Sequence, residues 1–431
     1  MNVFAITLAL LVSGPWSLSE CINYALEHNL TVKQQEIAVA QREIDLNSAE
    51  NRRLPTVSGS AGENISFGRG ITTDNTYAKG NVSSTSFSAG ARVPIFQGFD
   101  INKGIEMSKL NLAAAMTDLE RARDDIRVAV ANAYVQILYN QELLQVAENQ
   151  VAVDEMLCKR IEAMKESGMA STAEVAAQQS TYAQSKLSAT QADNALRLSI
   201  LDLTQLLELE SPEGFSIVTP SDDALGQRLL PSPESIYADA VREKAVIQAE
   251  DIRLEYAKVN IEKAKSAYYP TLSLSGGLDT RYYKTSNEPA AAFGTQLKNN
   301  LSPYVGLSLN IPIFQGFQTR NAVRSAKLNF QNQELQLENV KKSLYKEIQQ
   351  AYYNAVAAQA QLESSREAAV SAEKSLALTR EKYENGKANV TEYNEARNRY
   401  LKAESDYLQA RYKSVFQTKL LDFYKGAVLT F

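Results

Sequence analysis

The heptapeptide Val93-Pro94-Ile95-Phe96-Gln97-Gly98-Phe99 recurs almost letter for letter as Ile311-Pro312-Ile313-Phe314-Gln315-Gly316-Phe317. A repeat of this kind constrains the fold more than any bulk property, because one supersecondary unit must then be built twice. The correspondence extends on both sides. Upstream, Leu54-Pro55-Thr56 matches Tyr269-Pro270-Thr271, and downstream Ala133-Tyr134 matches Ala351-Tyr352 and Gly168 matches Gly386. Residues 15–210 and 234–426 therefore read as two tandem structural repeats joined by a Pro-containing linker at 211–233, with 427–431 as a short tail. Residues 1–14 carry an apolar run, Val3 to Val12, of the length of a signal-peptide core and too short to span a bilayer as a helix. It lacks a basic flank, and Val12-Ser13-Gly14 is a poor cleavage site, so it reads as a possible signal-peptide remnant or an expression scar.

Each repeat shows the same order of patterns. A helical stretch (about 18–53, then about 234–267) ends near a proline, and the period changes to two. Val305, Leu307, Leu309 and Ile311 alternate with Tyr304, Gly306, Ser308 and Asn310; Phe87, Ala89, Ala91 and Val93 alternate with Ser86, Ser88, Gly90 and Arg92. Such alternation suits a half-buried soluble sheet or a barrel with lipid outside and water within. Strands expected at about 56–67 and 82–95, and at about 271–282 and 302–313, form one hairpin per repeat across the polar loops Thr72-Thr73-Asp74-Asn75 and Ser286-Asn287-Glu288-Pro289. Strands of this length suffice for a tilted crossing of the hydrocarbon layer.

After each Phe-Gln-Gly-Phe comes a long helical pattern, about 100–166 and about 319–384. Leu337, Val340, Leu344, Ile348, Ala351, Ala355, Ala358 and Leu362 follow spacings of three and four, as do Ile126, Val130, Ala133 and Ile137. A helix of about 65 residues is about 100 Å long, too long to bury in one compact domain. Gly168 and Gly386 then reverse the chain, glycine being suited to the left-handed conformation that ends a helix, and return helices follow at about 172–208 and 391–425.

Four strands cannot close a barrel, and open edges are not tolerated in lipid. Closure must be shared between copies; two would supply eight strands and three would supply twelve, and the pattern by itself does not choose. The duplicated helix, hairpin, long helix and return helix, each with its Val/Ile-Pro-Ile-Phe-Gln-Gly junction, resemble the TolC family of outer-membrane efflux proteins. The stretch Trp16-Ser17-Leu18-Ser19-Glu20-Cys21-Ile22-Asn23-Tyr24-Ala25-Leu26 resembles the opening helix of that family. The resemblance covers the chain after Pro15. It implies a mainly α protein with a membrane β-barrel part: a homotrimeric channel-tunnel whose twelve strands close one barrel in outer-membrane lipid, continuous with a twelve-helix periplasmic tunnel. It also implies a passive exit duct of a tripartite efflux or type I secretion system, docked through a periplasmic adaptor onto an inner-membrane pump. The competing reading is a non-conducting coiled-coil scaffold or surface adhesin, for which the strand hairpins would be superfluous.

The family resemblance also implies residue roles. Glu392 and Glu395, one turn apart after the second tip, match positions whose carboxylates line the closed periplasmic entrance; replicated around a threefold axis they would form two stacked rings. A solvated surface pair is the alternative. Glu174 and Tyr383 match the positions that link the two tips in the closed state, whereas the family arginine falls on Ala388, leaving Lys387 as a partial substitute. Gly168 and Gly386 with their flanks would form the adaptor-contact tips. Pro94 with Gly98, and Pro312 with Gly316, read as structural strand-to-helix junctions, with Phe96, Phe99, Phe314 and Phe317 either girdling the lipid–water interface or packing the joint.

Composition closes off other classes. The formal charge is −5 with basic residues spread along the chain, so no nucleic-acid partner is expected. One histidine, His28, and two distant cysteines, Cys21 and Cys158, supply no metal-site spacing. No GxSxG, HExxH or Walker pattern occurs, so neither catalytic residue nor cofactor is expected.

Overall fold

The structure, a computed structural model, describes residues 14–71, 75–220, 230–286 and 289–429. Residues 1–13, parts of both hairpin loops (72–74 and 287–288), linker residues 221–229 and the last two tail residues lie outside the described residues. The first repeat runs α1 (Leu18–His28), α2 (Leu30–Asn51), β1 (Thr56–Ser66), β2 (Arg69–Ile71), β3 (Tyr77–Lys79), β4 (Val82–Gln97), α3 (Asp100–Glu166) and α4 (Thr172–Leu206). The second runs α5 (Pro233–Glu243), α6 (Ala245–Ser266), β5 (Thr271–Thr285), α7 (Phe293–Asn299), β6 (Ser302–Asn310), α8 (Gln318–Glu384) and α9 (Val390–Tyr424). Corresponding helices have identical lengths: 11 and 22 residues before each hairpin, then 67 and 35 after it. No described helix is long and apolar enough to cross a membrane.

Periodicity over about 18–53 and about 234–267 reads as one helix each, but both stretches break after eleven residues, at Asn29 and Lys244, whose backbones are extended. Neither residue breaks helices by itself; tertiary contacts impose the bend. The Asn29 side chain donates to the Leu206 carbonyl at 3.0 Å and accepts from Thr31 N–H at 2.9 Å. The Lys244 ammonium sits 3.6 Å from the Phe423 ring centre and 3.5 Å from Asp124. Burial pulls its pKa down, and the nearby Asp124 carboxylate partly offsets this.

Two compact units emerge, and each takes chain from both repeats. The first comprises residues up to Ile37, Thr117–Gln248 and Glu338–Phe431. Its core is the apolar seam of the long helices, including Ile126, Val130, Ile137, Leu344, Ile348, Ala351, Ala355 and Ala358, all buried. Alanine at the seam lets the helix axes approach closely, and heptad-like spacing holds that face inward along several turns. The linker is fastened to this unit: Trp16 pairs with Ile217 as an isolated parallel bridge, and the Tyr134 hydroxyl donates to the Val218 carbonyl at 2.6 Å.

The second unit, Ala38–Met116 with Ala249–Leu337, holds an antiparallel sheet of order β1-β4-β5-β6. Each repeat supplies one hairpin, and β4 joins β5 across the repeats. Since paired residues share a face, Val57, Ala89, Ala91, Leu274, Leu278, Val305, Leu307 and Leu309 line one side. Ser58, Ser60, Ser86, Ser88, Asp279, Arg281, Tyr304 and Ser308 line the other. On that polar side Ser60 and Ser88 hydrogen-bond at 2.7 Å. A Cβ on Gly277 would lie 2.6 Å from the Ala89 carbonyl and 3.0 Å from the Tyr304 ring, so this ring lies across a glycine track. The apolar side is open, with Val305 84%, Leu307 65% and Leu309 60% exposed. A row this apolar left uncovered marks a surface built for something other than water.

Strand ends differ from the sequence expectation. β4 continues through Pro94 to Gln97, and the ladder skips a residue between Pro94 and Phe96, so Pro94 sits at a bulge inside the strand rather than at its end. β6 stops at Asn310, and Pro312 lies beyond it. The short pair β2–β3 and the helix α7 cap the hairpins, where the sequence showed only polar loops.

Candidate functional site

Both tips of the first unit are built by one local design. Gly168 has φ +77° and Gly386 φ +70°. Gly168 N–H donates to Lys165 and Met169 N–H to Met164; Gly386 N–H donates to Tyr383 and Lys387 N–H to Lys382. These paired bonds form the Schellman ending, which satisfies the last carbonyls of α3 and α8. Five-residue turns then deliver N-caps. Ser171 accepts from Glu174 N–H at 3.2 Å while the Glu174 carboxylate accepts from Ser171 N–H at 2.6 Å. Asn389 accepts from Glu392 N–H at 2.9 Å, and Glu392 from Asn389 N–H at 3.2 Å. Both are capping boxes, legible in retrospect as Ser-x-x-Glu and Asn-x-x-Glu.

Glu174 and Glu392 thus hold the same place in the two repeats, and each carboxylate already serves its own helix start. The backbone N–H of Ser171, followed by its hydroxyl, holds the Glu174 carboxyl below the usual value. Glu395 lies one turn beyond Glu392, and both are exposed. Tyr383 stacks on Tyr393, with ring centres 5.3 Å apart and planes 17° from parallel. Burial raises the Tyr383 phenol, and the Glu174 charge raises it further, while Arg160 opposes both. The structure therefore brings Tyr383 and Glu174 within electrostatic reach without a hydrogen bond between them. Lys387 is exposed.

The strongest ties between the two helical hairpins lie elsewhere, at residues the sequence did not single out. Asp154 on α3 and Arg397 on α9 form a hydrogen-bonded ion pair with side chains 0% and 8% exposed. Asp154 Oδ2 and Arg397 Nε have no partner there, so the pair is buried and incompletely satisfied. Arg160 approaches Glu384 at 3.9 Å, and Glu142 on α3 takes the Tyr412 hydroxyl of α9 at 2.5 Å. A span of 243 positions separates Asp154 from Arg397, and in sequence each looks like one more charge on a helix.

The strand-to-helix junctions use two consecutive left-handed residues, Gly98 (φ +61°) with Phe99 (φ +70°) and Gly316 (φ +58°) with Phe317 (φ +63°). Phe96 and Phe99 meet edge to face at 5.2 Å, and Phe314 and Phe317 at 5.5 Å. A Cβ on Gly98 would lie 2.5 Å from the Ser266 carbonyl, whereas nothing in the chain lies within 4 Å of one on Gly316.

Neither cysteine pairs; both are buried, and burial pushes the Cys21 thiol up to about 12. Among the described residues no group of three or more His, Cys, Asp or Glu is placed to hold a metal ion.

Against known proteins the chain is similar to Protein CyaE of Bordetella pertussis, 24% identical over 406 residues that cover 93% of this chain and 80% of that one. It is 22% identical to outer membrane protein TolC of Vibrio cholerae over 412 residues, 94% of this chain and 90% of that one. Its fold is that of the CmeC outer membrane channel of Campylobacter jejuni, with a TM-score of 0.79 at 18% identity over 95% of this chain and 86% of that one. The sequence profile of the family described as outer membrane efflux protein matches residues 21–208 and 236–422. Two matched stretches of that extent, on a helical hairpin pair joined to a two-faced sheet, leave one assignment: the chain belongs to the outer membrane efflux protein family and is an outer-membrane exit duct of the efflux or secretion kind.

Proposed function

We propose that the duct is a homotrimer and serves as the passive exit of a tripartite efflux or type I secretion system. In that assembly a periplasmic adaptor grips the tips around Gly168 and Gly386 and connects them to an inner-membrane pump. The carrying observation is the four-stranded sheet, apolar on one face and serine-rich on the other, whose outer strands β1 and β6 have no further partner among the described strands. In lipid such edges must be paired, and a closed ring with the apolar face outward and the serine face inward leaves a wet lumen.

The duplication supplies the register of closure. Within the chain, Arg92 of β4 faces Ser275 of β5. The equivalent residues are Asn310 of β6 and Ser60 of β1, which would face each other across neighbouring copies. Opposed residues of an antiparallel pair lie at a Cα separation suited to a disulfide. An Asn310→Cys/Ser60→Cys protein should therefore oxidise to a covalent trimer, while Asn310→Cys/Gly62→Cys should remain uncrosslinked. Closed dimers, or a soluble monomer in detergent-free buffer, would refute the trimeric duct.

At the tips, Glu392 and Glu395 of each copy would form stacked carboxylate rings in the entrance, favouring cations. Glu174, Tyr383 and Lys387 would add polar links between hairpins in the closed state. The reading of the rings is supported by the exposure of both glutamates on one face of α9 immediately after the tip. Glu392→Gln/Glu395→Gln should still assemble and conduct, with weaker cation selectivity and weaker block by trivalent cations. Substituting Glu334 and Glu338 by Gln should change neither property.

A further inference from the structure

The apolar face of the sheet ends, where strand passes into helix, in aromatic rings and then in cations. Phe96 of β4 pairs with Leu272 of β5, which pairs in turn with Leu309 of β6, so all three share that face. Phe99 packs edge to face on Phe96, and the second heptapeptide repeats the geometry with Phe314 and Phe317. The Arg320 guanidinium lies 5.7 Å from the Phe317 ring centre. Arg324 and Lys327 follow at spacings of four and three on the same side of α8, and all three cations are exposed. No Asp or Glu occurs from Ile313 to Gln333, and none of the three cations forms an ion pair among the described residues.

The first repeat shows what this stretch presents when its surroundings are complete. There α3 is flanked on both sides, Asp100 meeting Arg52 at the end of α2 and Lys103 meeting Glu262 of α6. The counterparts of the three cations are Asn102, Glu106 and Lys109, and they stay exposed between those flanks. Ile95 and Phe99 stay 53% and 51% exposed as well. Closure by a neighbouring copy, whose α2 would take the place that α6 has beside α3, would therefore leave Arg320, Arg324 and Lys327 uncovered. Nor would it neutralise them. On α6 the acids Glu255 and Glu262 are taken by Lys258 and Lys103, and on α2 Asp45 is taken by Arg42. Glu43 and Glu50 of α2 match Lys258 and Lys265, neither of which pairs with Glu106; that carboxylate is held by Lys103 of its own helix.

We propose that Arg320, Arg324 and Lys327 form a docking stripe for the phosphate headgroups of anionic phospholipid in the periplasmic leaflet. This rests on the proposed duct, with the apolar face of its sheet turned to lipid. Along the lipid-facing side the order is then hydrocarbon against Leu307 and Leu309, the interface at Phe314 and Phe317, and phosphate at the cations. The stripe runs about 10 Å along the helix axis, close to the depth of one headgroup layer, about 5–8 Å. Arg320 stands in the first turn of α8, where the helix dipole disfavours a cation; α3 carries Asp100 in that turn and α8 carries no acid. A layer of phosphates offsets that cost, and the planar arginine donors bind phosphate in two-pronged fashion.

The test offers the trimer, in neutral detergent, equal amounts of phosphatidylglycerol and phosphatidylcholine with identical acyl chains, and counts the lipids retained by native mass spectrometry. The unmodified protein should prefer phosphatidylglycerol by at least about fivefold, what one cation contributes at an anionic lipid surface. Arg320→Gln/Arg324→Gln/Lys327→Gln, first checked as a detergent-stable trimer, should lose that preference while retaining phosphatidylcholine as before. Arg324→Gln alone should lose part of it, so a triple variant that fails to assemble does not end the test. Arg320→Lys/Arg324→Lys should keep most of it. Lys342→Gln/Lys346→Gln/Arg366→Gln removes as many cations from exposed positions farther along α8 and should leave the preference intact; an equal loss there would assign it to net charge and overturn the stripe. No preference in the unmodified protein, or one that survives in the triple variant while Leu307→Arg impairs assembly, refutes the stripe and leaves the lipid-facing sheet standing. A soluble monomer that retains neither lipid would bring down the trimeric duct and the stripe with it.

Discussion

The two repeats have the same helix lengths, the same tip turns and the same junction heptapeptide, yet their junctions and their seams differ. In the first repeat the heptapeptide is paired along β5, and Gly98 is crowded by Ser266 of α6. In the second, β6 stops short, Ile313 is 93% and Phe314 74% exposed, and Gly316 has open space around it. One sequence in two states teaches that its conformation is local while its environment is not. The first copy is completed by the second, whereas in the proposed trimer the second would be completed by another chain. The helical seam repeats the lesson. Asp154 and Arg397 pin α3 to α9, but their counterparts in the duplication are Ala372 and Gln179, so an equivalent seam to a neighbouring chain would have no buried charge pair.

The largest effect should come from unbalancing that pinned seam. Arg397→Leu leaves Asp154 buried without a partner and should cost about 3–5 kcal/mol, whereas Asp154→Leu/Arg397→Leu should recover most of it. Gln179→Leu, at the counterpart position, should stay within about 0.5 kcal/mol. Thermal melting of the detergent-solubilised protein measures all three, and equal losses for Arg397→Leu and Gln179→Leu would erase the distinction between the seams.

Next is the sheet. Arginine at Leu307 should cost about 2–4 kcal/mol at mid-bilayer, and arginine at Ser308 much less, because only the first would face lipid. Similar assembly yields for the two would mean that the faces are reversed or that no bilayer surrounds them.

Glycine replacement at the junctions sharpens the comparison further. Gly316→Ala should cost about 1–2 kcal/mol for its left-handed backbone alone, and Gly98→Ala more, because its new Cβ also meets the Ser266 carbonyl. In an assembly closed by a neighbouring chain the two costs should converge, since the neighbour would crowd Gly316 as Ser266 crowds Gly98. A gap between them that persists in the trimer would argue against the proposed register.

Smallest is the protonation of a tip cap. Glu174 is held below its ordinary 4.5 by bonds made only in the folded state, so its contribution is complete above that value and is lost as pH falls through the lower folded one. Amide protection in the first turn of α4, taken relative to the intrinsic exchange rate at each pH, should fall as the unmodified protein is acidified below the ordinary glutamate range. Glu174→Ala should be less protected there at neutral pH and show no such loss on acidification; a loss of protection that survives in the variant would assign the effect to another group.

What sequence revealed follows from what is local. Long periodic runs, glycine-ended helices and strand alternation are written within a few residues of where they act, and the repeat displays each one twice. The breaks at Asn29 and Lys244 are invisible there because the forces that bend the chain come from Leu206, Phe423 and Asp124, far away in sequence. Pro94 reads as a strand end because proline gives up a ladder bond, but a bulge lets the strand pass. Among site residues, position relative to Gly386 marked Glu392 and Glu395, whereas nothing local separated Asp154 and Arg397 from dozens of solvated charges.

The matched helix lengths, 67 with 67 and 35 with 35, turn the chain into a ruler. A tip can move only if the outgoing and returning helices of its hairpin change together, and one hairpin can keep level with the other only if both repeats change alike. Removing seven residues from a single long helix would shear the seam out of register along its whole length. Removing seven from each of the four, at matching positions, would preserve every heptad contact and shorten the reach by about 10 Å. Each of the two lengths is thus recorded twice over, and the hairpins keep their seam only if re-cut in heptads.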